Sequence, residues 1–211
     1  MEFTGELEIH LTIYLGKTKT VAELQEWGRI YDLKCLHIIL DRGEVSSQPM
    51  LTRRASGKLT DEIGTALHLK ELLIADGFQV VRIKIEAAPW NENVPQSSAE
   101  IIISSTEKKY FENHIKILMD SQTEHTVLLE KVVRHAAHLS RNALRQSSEG
   151  FEERFVTQRN WSIGYSESRQ KLNELLQEIR ALNYPVIDVE EEYVIYDTNL
   201  KIDAGWIQAG E

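Results

Sequence analysis

The chain has 211 residues, 42% hydrophobic and 27% charged, with a formal net charge of -9 and one cysteine. That length can bury a sizeable core without staples, while the lone Cys35 excludes an intrachain disulfide and a Cys-rich zinc site. The acidic balance excludes broad nucleic-acid binding and attachment to an anionic membrane surface.

No apolar run reaches the roughly 18 residues of a membrane helix, and the opening MEFTGELEIH lacks the basic and apolar regions of a secretory signal. A reducing cytoplasm is the expected location. Cys35 falls in an apolar strand pattern and reads as a packed thiol rather than a nucleophile.

The first predicted strand is Leu7–Leu15 (LEIHLTIYL), whose alternation puts Glu8, His10 and Thr12 on one face. Gly16 breaks it, and Thr18 or Thr20 can cap a helix with Val21, Leu24, Trp27 and Ile30 at helical spacing. Lys34–Asp41 is a second strand, Arg42–Pro49 a polar loop and Met50–Arg54 a short third strand. A helix over Thr60–Ala75 ends at Gly77, and Phe78–Glu86 (FQVVRIKIE) is the fourth strand. Ala87–Ser98, with Pro89 and Pro95, is the connector. Ala99–Ser105 reads as a short β-prone piece that extends a strand or covers a sheet edge.

Tyr110–Met119 (YFENHIKILM) then echoes the first strand, with Glu112, His114 and Lys116 on one face. A helix over Glu124–Ala137 follows, then strands at His138–Leu144 and Arg154–Arg159 around a polar loop, Gln146–Glu153. Glu167–Leu182 is an amphipathic helix and Tyr184–Tyr196 the last strand. Trp206 and Ile207 predict that the tail from Asp197 to Glu211 docks.

Each half reads β-α-β-β-α-β, the order of a ferredoxin-like unit. Local matches fall in the same order: LEIHLTI with FENHIKI, PMLTRR with RFVTQR, ADGFQVVRIKIE with ALNYPVIDVEEE. The expected fold class is α+β, with two tandem ferredoxin-like halves, 1–98 and 99–211, forming one pseudo-symmetric unit with a tail at 197–211. An unduplicated α+β domain is the alternative.

The polar faces supply the candidate chemistry. The first half offers Glu8, His10 and Thr12, then Thr52 and Arg54, then Arg82, Lys84 and Glu86. The second offers Glu112, His114 and Lys116, then Thr157 and Arg159, then Asp188, Glu190 and Glu192. First and fourth strands are neighbours in a ferredoxin-like sheet, so Glu86 is expected near His10 and Glu192 near His114. Paired Thr-x-Arg positions suit phosphate or carboxylate, although arginines there can equally bridge to surface carboxylates.

The His10-Leu11-Thr12 strand resembles one motif of the 2H phosphoesterases, which carry two H-x-T/S motifs on paired strands of a duplicated α/β fold. An imidazole and a hydroxyl two residues apart share a face, so one relays protons while the other holds a phosphate oxygen. The resemblance implies His10 and Thr12 as one pair and His114 as the start of the second, where Lys116 replaces the hydroxyl.

The leading expectation is an enzyme for a small anionic ligand, a phosphate ester or nucleotide-like molecule, in a cleft between the halves. His10 and His114 are its acid and base, with Thr12 and Lys116 beside them and Thr52, Arg54, Thr157 and Arg159 holding the anion. It needs no cofactor. A second reading is a non-catalytic ligand-binding or assembly module, and self-association into a homo-oligomer stays open. A third is a metal-dependent enzyme in which His10, His114, Glu86 and Glu192 ligate a divalent ion.

Arg82 and Lys84 align with Asp188 and Glu190, which gives a purely structural role as ion pairs joining the halves. His37 and His138 sit in apolar stretches, the setting of a satisfied core histidine. His68, His125 and His135 are helical, and the Trp90-Asn91 and Trp161 segments are either lids or anchored loops. Phosphate-binding glycine loops, H-E-x-x-H and G-x-S-x-G are absent.

Overall fold

The computed structural model describes residues 1–104, 109–120, 125–145 and 150–207. Its elements are β1 (Thr4–Tyr14), α1 (Val21–Ile30), β2 (Lys34–Leu40), β3 (Ser47–Lys58), α2 (Leu59–Ala75), β4 (Gln79–Ala87) and α3 (Ser98–Ser104). They continue with β5 (Tyr110–Asp120), α4 (Thr126–Arg134), β6 (Ala137–Asn142), β7 (Phe151–Trp161), α5 (Tyr165–Ala181) and β8 (Val186–Asp197). A 3-10 turn at Leu200–Asp203 follows. The chain is α+β, and its eight strands form one antiparallel sheet closed as a barrel in the order β1-β3-β2-β6-β7-β5-β8-β4, with β4 returning to β1.

Closure assigns the two faces of every strand. Leu7, Ile9, Leu11 and Ile13 of β1 pack with Leu24 and Trp27 of α1 and Leu69 and Leu73 of α2. Ile115, Ile117 and Met119 of β5 pack with Leu128 of α4 and Leu172, Leu175 and Ile179 of α5 in a second core. Helices lie outside a closed barrel, so these apolar faces point outward and the alternate residues point into the lumen. The lumen is therefore where Glu8, His10, Glu112 and His114 reside. Buried charge there has to be paired, which makes the interior an ionic network rather than an apolar core.

Local chemistry explains the helix limits. Thr20 accepts the Glu23 amide while the Glu23 carboxylate accepts the Thr20 amide, a reciprocal cap that starts α1. Gly77 at φ +81 ends α2 in the left-handed region, as expected. β3 runs from Ser47 to Lys58, much longer than MLTRR alone, because it pairs with β1 out to Thr4↔Lys58.

One expectation is corrected: in place of the strand expected over Ala99–Ser105, Ser98–Ser104 is helical, and residue 105 lies outside the described residues. Glu100 accepts the Gln96 amide and the Ser97 hydroxyl, and Glu167 accepts the Ser98 amide. These bonds satisfy the free donors of a helix start and override the strand preference of the isoleucines. The start packs tightly against Gly164, where a Cβ would fall 2.3 Å from the Ser97 carbonyl carbon. α4 begins at Thr126, with 121–124 outside the described residues, as are 146–149 of the expected polar loop.

The tail docks as expected. Trp206 and Ile207 are buried and pack with Leu40 and Ile38, while 208–211 lie outside the described residues. Among the described residues, no helix is long and apolar enough to cross a membrane.

Candidate functional site in the barrel lumen

Strand register builds the site. In the first half Glu8 stands opposite Arg54 and Glu86, and His10 opposite Thr52 and Lys84. In the second, Glu112 stands opposite Arg159 and Glu192, and His114 opposite Thr157 and Glu190. The expected approaches are present: His10 Nε2 lies 2.5 Å from Glu86 Oε2 and His114 Nε2 3.3 Å from Glu192 Oε2.

Lys84 joins the two sets. Its Nζ lies 2.5 Å from Glu86 Oε1 and 2.7 Å from Glu112 Oε2. Glu112 also accepts from Arg159 at 2.6 Å and stands 3.7 Å from His114 Nε2. Ligand atoms of Glu86, His114 and Glu192 all fall within 4.8 Å of one another. A divalent ion at that point would compete with groups already bonded there, since His10 and Lys84 occupy one oxygen each of Glu86. The ammonium of Lys84 already supplies positive charge at this point.

Of the donors expected to hold an anion, Thr52, Arg54 and Arg159 are engaged with carboxylates. Thr52 donates to Glu8 at 2.5 Å, and Arg54 bridges Glu8 and Glu190 at 3.1 Å each. Arg159 divides its donors between Glu112 and Asp203. Thr157 Oγ1 sits 3.0 Å from His114 Nδ1. Lys116 pairs with Glu153 at 2.8 Å, and Thr12 is buried. The expected pairing of Arg82 and Lys84 with Asp188 and Glu190 is also corrected. Arg82 binds Asp197 and Asp203, because β4 meets β8 at the Asp197 end, with Lys84 opposite Asp197.

A cavity of about 340 Å³ opens at the Trp90 side, with Glu6, Glu8, Glu86, Glu190, Glu191 and Glu192 on its wall and Arg54 as the cation. His10 and His114 are not on that wall and reach it through Glu86 and Glu192, so carboxyls rather than imidazoles meet the cavity. Trp90 stands exposed at the rim, its indole donating to Glu6, whereas Asn91 anchors its loop by bonding both backbone groups of Glu6. Trp161 is no lid: it ends β7, against the Tyr110 ring.

Protonation follows from the packing. Burial, reinforced by the Glu86 charge, pushes the Glu192 carboxyl up to about 7. Burial alone would lower His114, but its bond to Glu192 and the Glu112 charge outweigh that and raise it to about 9. For His10, burial likewise opposes and Glu86 prevails, so it too is raised. Burial would raise Glu86 and Glu112, yet Lys84 and the other cations around them hold both low. Burial pushes Cys35 up to about 11, as for a packed thiol.

His37 and His125 stand apart from this group, whereas His138 stands opposite Thr157 of β7. His37 bonds Ser47, and His125 bonds Tyr184 and the Asp120 carbonyl. His138 sits against Arg42; burial and that guanidinium press it down to about 4.

Sequence reasoning placed Glu112 and Lys84 on the right faces but gave them no part in the site. The signal for Glu112 was its place two residues before His114, matching Glu8 and His10. Asp203 carries no comparable signal, since it lies in the tail beyond the last strand.

No protein-family model and no curated protein matches the chain. Among solved structures, the chain is similar to the acetolactate synthase small subunit from Thermotoga maritima at 10% identity, covering 94% of this chain and 97% of that one, with a TM-score of 0.29. It is also similar to a mutant chlorite dismutase from Candidatus Nitrospira defluvii at 11% identity, covering 92% of each chain, with a TM-score of 0.31. Neither likeness assigns an activity or a ligand.

Proposed function

We propose that the barrel lumen is an acid–base active site for a small molecule entering from the Trp90 side, with Glu192 as the group that exchanges a proton with it. The observation that carries this reading is a carboxyl on the cavity wall, bonded from behind by His114 and held near neutrality by its surroundings. A general acid or base works best when its proton affinity matches the working pH, and burial beside a second carboxylate is one way to reach that match. His114 and His10 are positioning residues in this reading: they act on the wall through Glu192 and Glu86.

The wall also speaks to ligand charge. Six glutamates line the cavity with a single guanidinium that already bridges two of them. This supports a ligand with an amine, guanidine or other cationic group, and gives a phosphodiester of the 2H kind little to bind. The test is a thermal-shift screen of cationic and anionic metabolites, followed by turnover assays on those that bind. Cationic compounds should raise the melting temperature of the wild type and lose that effect in Glu192→Gln. Stabilisation by phosphate esters alone, or by no compound, would overturn the reading.

The two halves, 1–98 and 99–211, are proposed to be a tandem duplication of one ferredoxin-like unit. Equivalent registers support this: His10↔Thr52 matches His114↔Thr157, Glu8↔Arg54 matches Glu112↔Arg159, and Glu8↔Glu86 matches Glu112↔Glu192.

A further inference from the structure

The C-terminal segment crosses the end of the barrel away from the Trp90 cavity. Thr198 donates to the Ile83 carbonyl and Asn199 to the Val81 carbonyl on β4. Further on, the Trp206 indole donates to the Leu139 carbonyl on β6, and Glu44 after β2 donates its amide to the Ala204 carbonyl. Gly43, at φ +115, lets the two segments approach: a Cβ there would lie 3.1 Å from the Trp206 Cβ. Between these anchors Asp203, 2% exposed, drops into the lumen and accepts from Arg82 (3.1 Å), Arg159 (2.8 Å) and Gln48 (3.2 Å).

Arg159 is the link to the site. The same Nη2 that meets Asp203 also meets Glu112, and Glu112 in turn faces Lys84 and His114. We propose that Asp203 is a positioning residue: by docking, the tail neutralises Arg82 and Arg159 and so fixes how Glu112 supports the His114–Glu192 pair. This rests on Glu192 being the working group, while the coupling itself is a property of the charge network. Without Asp203, two buried guanidiniums share one fewer carboxylate, Arg159 draws more fully on Glu112, and His114 loses part of its counter-charge. The groups facing His114 are Glu112 and Lys116 on its own strand, Glu190 and Glu192 on β8, Thr157 and Arg159 on β7, and Lys84 and Glu86 on β4. Of these, Arg159 is the one that Asp203 hydrogen-bonds, so it is the bonded route between the tail and His114, while the Asp203 charge also acts on Glu112 directly.

The test is an NMR-monitored titration of the His114 ring in the full chain, compared among wild type, Asp203→Asn and Trp206→Ala. Asp203→Asn removes the charge at constant shape; Trp206→Ala loosens docking and keeps the charge. Both should weaken proton binding at His114 by about threefold or more, equivalent to ~0.5 in pH midpoint. A lower melting temperature with an unchanged His114 midpoint in both variants would make the tail a structural plug only and overturn the proposal. A shift in Asp203→Asn alone would overturn the part assigned to docking. No ligand is needed, so this outcome is independent of whether Glu192 turns over a substrate.

Discussion

At the scale of single residues, the lumen departs from the rule that strand faces toward a protein's middle are apolar. Glu192 and His114 hold protons that isolated groups would release, and this has a consequence for stability. His114 binds its proton more tightly folded than unfolded, so its contribution is complete below about 6.5 and is lost as pH rises through about 9. Glu192 is raised as well, so the folded form holds its proton longer and stability falls between about 4.5 and about 7. The two slopes have the same sign. The melting temperature should therefore decline from pH 6 to pH 9, by an amount on the order of 4 kcal/mol in unfolding free energy. Calorimetry across that range checks it, and Glu192→Gln should flatten the part below pH 7. A melting temperature that rises toward pH 9 would contradict the assignment. The histidine and glutamate faces were legible because strand alternation has a period of two; the neutral-pH carboxyl was not, because it depends on Glu86 arriving from another strand.

At the scale of elements, each local signal was readable where the competing forces agreed. The Thr20–Glu23 cap is explicit in the sequence and fixes α1. Thr20→Ala should cost about 1 kcal/mol in urea unfolding, with no change in the His114 titration, since α1 lies outside the barrel. An effect below a few tenths of a kcal/mol would show that the cap is redundant with packing. The expected strand gave way to a helix over Ser98–Ser104 because the isoleucines signal β structure while Gln96, Ser97, Glu100 and Glu167 together supply a helix start. β3 was cut short for a related reason: Ala55, Ser56 and Gly57 carry no strand preference of their own and are held by β1.

At the scale of the molecule, the order of strands within each half followed from the pattern, but the closing of the sheet did not. Short joints, Ile38–Leu40 with Ser140–Asn142 and Lys84–Ala87 with Tyr193–Asp197, turn two sheets into one barrel. That closure gives Lys84 its Glu112, Arg82 its Asp197 and Arg54 its Glu190, each a pair between the first and second halves. The Lys84–Glu112 and Arg82–Asp197 pairs are largely buried, so charges from one half are completed by the other, which binds fold and candidate site into a single requirement. The most direct test is a nitrogen-15 spectrum of the His114 ring in the intact protein at pH 7.5. Both ring nitrogens should be protonated, as a ring paired with Glu192 and Glu112 inside the closed barrel requires; a neutral ring with one bare nitrogen would contradict the account.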